Sequence, residues 1–124
     1  MSTDQIILAI PAMPQYIRLA RVTASGLATR LGFGIDDIED LRLAVDEACF
    51  CVMGTGIAHH ELALIYKIDE KSLSVDGKVT SENAIEPPPT HEMTHLILDA
   101  LVDEHTIEHH GNEAVFHFRK AAHA

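Results

Sequence analysis

Two neighbouring stretches of the sequence place large apolar side chains on every second residue. The alternation runs through residues 62–68 and again through 73–79, a spacing typical of strands that bury one face. Only Asp69-Glu70-Lys71 separates the two stretches, which suits a hairpin turn. The chain is therefore expected to build an antiparallel sheet with an apolar face that another layer must cover.

The other periodic segments predict three helices and three more strands. Apolar side chains recur at helical spacing in residues 14–31, 37–53 and 91–101. Asp36 or Asp37 is expected to cap the second helix, and Thr90 the third. Short apolar or alternating runs predict strands near Ile6–Ile10, His105–His109 and Ala114–Arg119.

This element order is strand, helix, helix, strand, strand, helix, strand, strand. It predicts an α+β fold, a two-layer sandwich whose three helices cover one face of a mixed, mostly antiparallel sheet of about five strands. A chain of 124 residues is expected to form a single domain over residues 1–124.

Charge and composition limit the classes of partner. The formal net charge of −10 disfavours nucleic acid and anionic membranes and favours a basic protein surface. The apolar runs are too short to span a membrane, and the N-terminus lacks a secretory signal pattern. Cys49 and Cys51 would point about 200° apart on a helix, so they are expected to be free thiols of a cytoplasmic protein.

The segment DLRLAVDEAC, residues 40–49, resembles the second-helix motif of RsbW-like anti-sigma factors. These are small serine kinases of the histidine-kinase-like (GHKL) ATPase superfamily, and the element order matches that family from about Gln5 to Lys120. The resemblance implies a histidine-kinase-like ATPase fold. In the family this helix reads E-A-x-x-N, with the glutamate as general base and the asparagine holding the magnesium that bridges the nucleotide phosphates. Glu47 and Ala48 match, but Cys51 stands at the asparagine position.

The substitution at Cys51 removes a magnesium ligand, because magnesium prefers oxygen donors and a thiol is a soft sulfur donor. The family's two glycine boxes are also degenerate. Asp76-Gly77 is a partial match to the first box, D-x-G-x-G, and THEMTHLILDAL replaces the second, bringing the acidic Glu92. The resemblance therefore implies a vestigial nucleotide pocket around Glu47, Cys51 and Asp76, with Glu47 as a vestigial base, no resident cofactor, and at most weak binding of ATP and magnesium.

His91-Glu92-Met93-Thr94-His95 matches the H-E-x-x-H pattern of zinc hydrolases. A chain with nine histidines meets this pattern by chance roughly one time in twenty. The motif lacks a G-x-x-H extension, and nothing in the spacing selects a third ligand between His105 and Glu108. The sequence therefore favours exposed helix histidines and no metal site.

The resulting interpretation is a regulatory protein that works by binding. The resemblance implies a stress-type sigma factor and a STAS-domain anti-anti-sigma factor as partners, and a homodimer. One alternative is an ATP-dependent serine kinase that phosphorylates the anti-anti-sigma factor, using Glu47 with Asp46 or Asp76 to position magnesium. The other is a small zinc hydrolase that uses His91, Glu92 and His95.

Overall fold

The computed structural model describes residues 4–54 and 61–123, so Gly56, His59 and His60 lie outside the described residues. Within these ranges the chain forms five strands and three α-helices, in the order that the sequence predicts. They are β1 Asp4–Pro11, α1 Ile17–Arg30, α2 Ile35–Met53, β2 Glu61–Ile68, β3 Ser72–Thr80, α3 His91–Leu101, β4 Glu104–His110 and β5 Glu113–Ala121. Among these helices, none combines the length and apolar character needed to cross a membrane.

The strands form one sheet in the order β1-β2-β3-β5-β4. The predicted turn between β2 and β3 is present, since the Asp69 N–H donates to the Ser72 carbonyl at 3.0 Å. Every pairing among the described strands is antiparallel. The α+β sandwich is confirmed. All neighbouring strands are antiparallel, whereas a mixed sheet was expected, because β5 lies between β3 and β4 and is antiparallel to both.

The three helices cover one face of this sheet. In β3 the buried residues Leu73, Val75 and Val79 alternate with partly or fully exposed ones, so one side of the strand faces the helix layer. Tyr66 on β2 faces the same way, and its hydroxyl donates to the Ala20 carbonyl of α1 at 2.9 Å. The core therefore lies between the sheet and the helices, as the strand alternation requires.

The start of α2 differs from the prediction. Gly34 occupies the N-cap position without a side-chain hydrogen bond, and Asp36 and Asp37 lie inside the first turn. The predicted aspartate cap is therefore wrong. Both carboxylates still lie where the helix dipole favours negative charge.

A buried lysine joins the start of α2 to the end of α3. Lys120 on β5 is only 4% exposed, and its ammonium group donates to the Leu101 carbonyl at 2.8 Å. It also lies 3.5 Å from an Asp37 carboxylate oxygen and 3.8 Å from one of Asp40. The His123 N–H donates to Asp37, and this bond, assisted by the Lys120 charge, lowers the pKa of the Asp37 carboxyl.

Gly77 lies in the middle of β3, directly opposite Phe116 of β5. A Cβ atom added at Gly77 would be 2.1 Å from the Phe116 ring. The glycine therefore provides room for an aromatic ring of the core. The Asp76-Gly77 pair, which the sequence suggested as a remnant of a glycine box, belongs to a regular strand.

We expect Gly77→Ala to lower the free energy of unfolding by about 1–3 kcal/mol, because Phe116 must leave its rotamer or push the strands apart. The matched control is Gly26→Ala in α1, where an added Cβ meets nothing within 4 Å and should stabilise the helix by up to about 1 kcal/mol. Urea unfolding of both variants measures the difference. Equal stability of Gly77→Ala and the parent protein would contradict the packing role.

Candidate functional site

Glu47 and Cys51 lie one turn apart on the side of α2 that faces α3, and both meet Thr94. The Thr94 hydroxyl donates to the Glu47 carboxylate at 3.3 Å and lies at the same distance from the Thr90 carbonyl. Thr94 is 4% exposed and Cys51 is 2% exposed. The structure therefore brings together two of the three predicted pocket residues, and it places a side chain of α3 between them.

The Cys51 thiol is held in its neutral form. Burial raises the pKa of this thiol, the nearby Glu47 charge raises it further, and the hydrogen bond with Thr94 acts in the opposite direction. His109 on β4 donates a ring N–H to the Cys51 carbonyl at 3.0 Å, which fixes this end of α2 to the sheet. A protonated, buried thiol is a poor ligand for magnesium, which prefers oxygen donors.

Asp76, the third predicted pocket residue, is not brought to this place. It lies between Val75 and Gly77, which face the helices, so its side chain lies on the opposite face of the sheet. There it accepts a hydrogen bond from the ring of His117 at 2.9 Å. Asp76 cannot share a ligand with Glu47 across the sheet.

Asp46 precedes Glu47 and faces the other neighbouring helix. One carboxylate oxygen lies 3.1 Å from Arg21 Nε of α1, although the pair lacks hydrogen-bond geometry. Burial raises the pKa of the Asp46 carboxyl, and the charges of Arg21 and Arg42 act against that shift. The three carboxylates that a magnesium site would draw on, those of Asp46, Glu47 and Asp76, therefore lie in three different environments.

The histidines of the H-E-x-x-H segment are engaged in other contacts. His91 donates a ring N–H to the Pro88 carbonyl at 3.2 Å. The rings of His95 and His105 share a hydrogen bond of 3.0 Å, and the other nitrogen of His105 is 3.5 Å from an Asp99 oxygen. Over residues 4–54 and 61–123 no three histidine, cysteine or acidic side chains are grouped so that they could hold a metal.

The segment between β3 and α3 is tied to its surroundings. The Ser81 N–H donates to the Asn112 carbonyl and the Ile85 N–H donates to the Gly111 carbonyl, both at 2.8 Å. Gly54, with φ of +66°, lets the end of α2 approach this segment, since a Cβ there would be 2.6 Å from the Glu86 carbonyl oxygen. The segment therefore packs against the end of α2 and against the β4–β5 turn.

The contacts of three further side chains were not predicted from the sequence. Thr94, His105 and His109 each bond to a residue at least ten positions away, and no local pattern marks them. The one available signal is that Thr94 lies four residues before Leu98, on the buried stripe of α3. A polar residue on such a stripe needs a partner.

Three arginines also lie close together in a groove that was not predicted from the sequence. An open groove of about 370 Å³ on the outer side of α1 and α2 is lined by Arg18, Arg21, Arg42 and Val22. These are three of only nine basic residues in a chain of net charge −10. Arg21 and Arg42 already lie beside the carboxylates of Asp46 and Glu39, so the positive charge of the groove is partly neutralised.

The His95–His105 contact predicts a pH effect on stability. Burial lowers the pKa of His105, the Asp99 charge opposes this shift, and His95 adds to it. Below pH of about 6.5 the unfolded chain therefore binds more protons at this residue than the folded chain does, so stability falls with acidity until the lowered pKa is passed. The slope for this residue is at most about 1.4 kcal/mol per pH unit.

We expect His105→Gln to flatten the dependence of the free energy of unfolding on pH between about 6.5 and 5. The matched control is His110→Gln on the same strand, where the side chain is 66% exposed. Urea unfolding at several pH values gives both slopes. If His105→Gln has the same slope of unfolding free energy against pH as the parent protein, His105 is not the source of the pH dependence.

The amino-acid sequence is similar to those of known bacterial proteins. No protein-family model matches the chain. The chain is 54% identical over 48 residues to a serine-protein kinase RsbW of Bacillus velezensis, a match that covers 39% of this chain and 30% of the relative. It is 35% identical over 79 residues to the serine-protein kinase RsbW of Bacillus thuringiensis, with 58% of this chain and 46% of the relative covered. The aligned part thus spans less than half the length of either relative.

A solved structure shares the fold over nearly the whole chain. A crystal structure of the RsbU and RsbW domains of a Mycobacterium tuberculosis protein superposes with a TM-score of 0.69, covering 97% of this chain and 33% of that one at 14% identity. That identity supports a common fold alone, whereas the Bacillus matches carry sequence similarity. The sequence matches and the shared fold together show that this chain is similar to RsbW proteins.

Proposed function

We propose that this chain is an anti-sigma-factor-like regulatory protein that acts by binding a stress-type sigma factor, a STAS-domain anti-anti-sigma factor, or both, without transferring phosphate. The related Bacillus proteins are named serine-protein kinases, and the resemblance to RsbW-like anti-sigma factors implies partner binding as well as phosphotransfer. The proposal retains the binding and drops the phosphotransfer.

The proposal rests on one observation, the packing of Thr94 of α3 against Glu47 and Cys51 of α2. A general base must face a substrate hydroxyl or water, but the Glu47 carboxylate accepts the Thr94 hydroxyl of the adjoining helix. The neighbouring thiol is almost fully buried and neutral. A magnesium–triphosphate group would have to separate α2 from α3 to reach Cys51, whereas Glu47 is partly exposed and has one carboxylate oxygen engaged by Thr94.

The charges near Glu47 are also unfavourable for binding a phosphate group. A triphosphate carries roughly four negative charges, which require magnesium, basic groups or a nest of backbone N–H groups. Glu47 and Glu92 are acidic, and α3 begins at His91 with no glycine in its first turn. The alternative ligands Asp46 and Asp76 are paired with Arg21 and His117, which argues against the kinase alternative.

A second surface, away from the contact between Glu47 and Thr94, is available for binding a partner. The groove lined by Arg18, Arg21 and Arg42 lies on the α1 side of α2, whereas Glu47 faces α3. A carboxylate of a partner protein could contact Arg18 there and join the existing ion pairs of Arg21 with Asp46 and Arg42 with Glu39. Loss of nucleotide chemistry at Glu47 therefore leaves this recognition surface intact.

We expect ATP with magnesium to bind weakly or not at all, with a dissociation constant well above the low micromolar range. Losing three phosphate contacts of about 1.5–3 kcal/mol each costs several orders of magnitude in affinity. Isothermal calorimetry with magnesium-ATP measures the affinity directly. A low micromolar constant would refute the proposal.

The companion variant is Cys51→Asn, which restores the family's magnesium ligand. It should not rescue ATP binding, because Thr94 still occupies the space between α2 and α3 and no glycine opens the start of α3. Recovery of tight binding by this one change would show that Cys51 alone disables the pocket.

We further expect Glu47→Ala to leave partner affinity within about threefold of the parent. The variant should lose at most about 1 kcal/mol of stability, because the Thr94 hydroxyl retains the Thr90 carbonyl as its acceptor. The measurement uses the sigma factor or STAS-domain protein captured by affinity pull-down from the native cell, with calorimetry on parent and variant.

The same pair of proteins tests the kinase alternative. Incubation of the captured STAS-domain protein with labelled ATP should give no phosphorylation with either form. Clear phosphotransfer by the parent that Glu47→Ala abolishes would establish the kinase and overturn the proposed function.

A further inference from the structure

Helix α3 has two apolar faces, and only one of them is covered. Thr94 and Leu98 are buried against α2 and the sheet. On the opposite side, Met93 is 60% exposed and Leu96 is 70% exposed, with Ala100 one turn beyond Leu96 and also exposed. A surface helix normally places polar residues on its outer side, so the outer face of α3 calls for an explanation.

The outer side of α2 extends this apolar area. Leu43 and Phe50 are 52% and 46% exposed, and their spacing of seven residues places them on one side of the helix. Phe50 lies one turn beyond Glu47, which contacts Thr94, and Thr94 is the neighbour of Met93. The two helices run antiparallel, since Lys120 joins the start of α2 to Leu101 at the end of α3.

We call Leu43, Phe50, Met93, Leu96 and Ala100 the α2–α3 surface. Large contiguous apolar areas on a protein surface mark sites where another molecule binds. Such an area on two adjacent antiparallel helices is suited to a third helix that lays an apolar stripe along the groove.

The charges around the α2–α3 surface are acidic. Glu92 and Asp99 are exposed on α3, and Glu47 lies between the two helices. Helix α3 contains no lysine or arginine, and the arginine groove lies on the other side of α2. A ligand for this surface therefore gains by carrying positive charge beside its apolar stripe.

We propose that the α2–α3 surface docks a basic amphipathic helix of a partner protein. Apolar anchors of that helix, three or four residues apart, contact Phe50, Met93 and Leu96, and its lysine or arginine residues face Glu92 and Asp99. This inference rests on the proposed function, to which it adds the chemistry of the segment that is bound.

The probe is a synthetic helix of leucine and lysine, 18 residues long, with leucines on one face. Fluorescence anisotropy measures its affinity for the parent protein. A peptide of the same composition in scrambled order controls for net charge, because a protein of charge −10 attracts any cation. A leucine–glutamate helix controls for apolar contact without complementary charge.

Two variants separate the surface from the rest of the chain. Met93→Ser with Leu96→Ser removes the apolar face of α3, and Glu92→Lys with Asp99→Lys reverses its charge. The matched control is Ile7→Ser on β1, which removes an apolar side chain of similar exposure, 67%, from the face of the sheet without helices. All of these side chains point outward, and circular dichroism verifies that each variant is folded.

We expect the leucine–lysine helix to bind the parent and Ile7→Ser equally, and each surface double variant at least tenfold more weakly. The scrambled and leucine–glutamate peptides should bind at least tenfold more weakly than the helix. Equal binding of the control peptides, or no loss in the surface variants, would overturn the proposal. Sedimentation that shows a dimer dissociated by Met93→Ser with Leu96→Ser would also overturn it, assigning the surface to a second copy.

These results are independent of the test of the proposed function. Tight magnesium-ATP binding or phosphotransfer would refute the proposed function while the peptide affinities still decide the role of the α2–α3 surface. Conversely, if the surface variants bind the peptide as tightly as the parent does, this docking site is rejected. That result would not bear on the proposed absence of phosphotransfer.

Discussion

The helix layer depends on α2, which is surrounded on three sides. Leu41, Val45, Ala48 and Val52 are completely buried and form the stripe that faces the core. Asp46 and Glu47 are adjacent in sequence but about 100° apart around the helix, so Asp46 meets α1 and Glu47 meets α3. Two carboxylates and an apolar stripe of α2 are therefore all in contact with neighbouring elements.

The buried Lys120 holds together the other end of the helix layer, where α2 begins and α3 ends. An uncompensated ammonium in the core would cost several kcal/mol, but Lys120 has a carbonyl and two carboxylates within reach. These partners belong to α2 and to the end of α3, so satisfying one charge fixes two helices against β5. The pairing limits how far α2 and α3 can separate at this end of the layer.

Local patterns predicted the elements, whereas pairings between distant residues had to be seen in the structure. Alternation at residues 62–68 and 73–79 sufficed for the hairpin, but nothing local indicates that β5 lies between β3 and β4. Asp76 was grouped with Glu47 by a motif, although its position between Val75 and Gly77 already assigns it to the other face of the strand. Thr94 is 47 residues from Glu47, a distance at which sequence periodicity carries no information.

Glu47 is held by a contact between two helices. A partly buried carboxylate must either reach water or find a donor, because burying it unpaired is costly. The Thr94 hydroxyl is such a donor, and it is also small enough to lie beside Cys51. An asparagine at position 51 would be larger and polar on both edges, so the cysteine and the threonine together allow α3 to pack closely on α2. Glu47 therefore has a structural role, a hydrogen bond between α2 and α3.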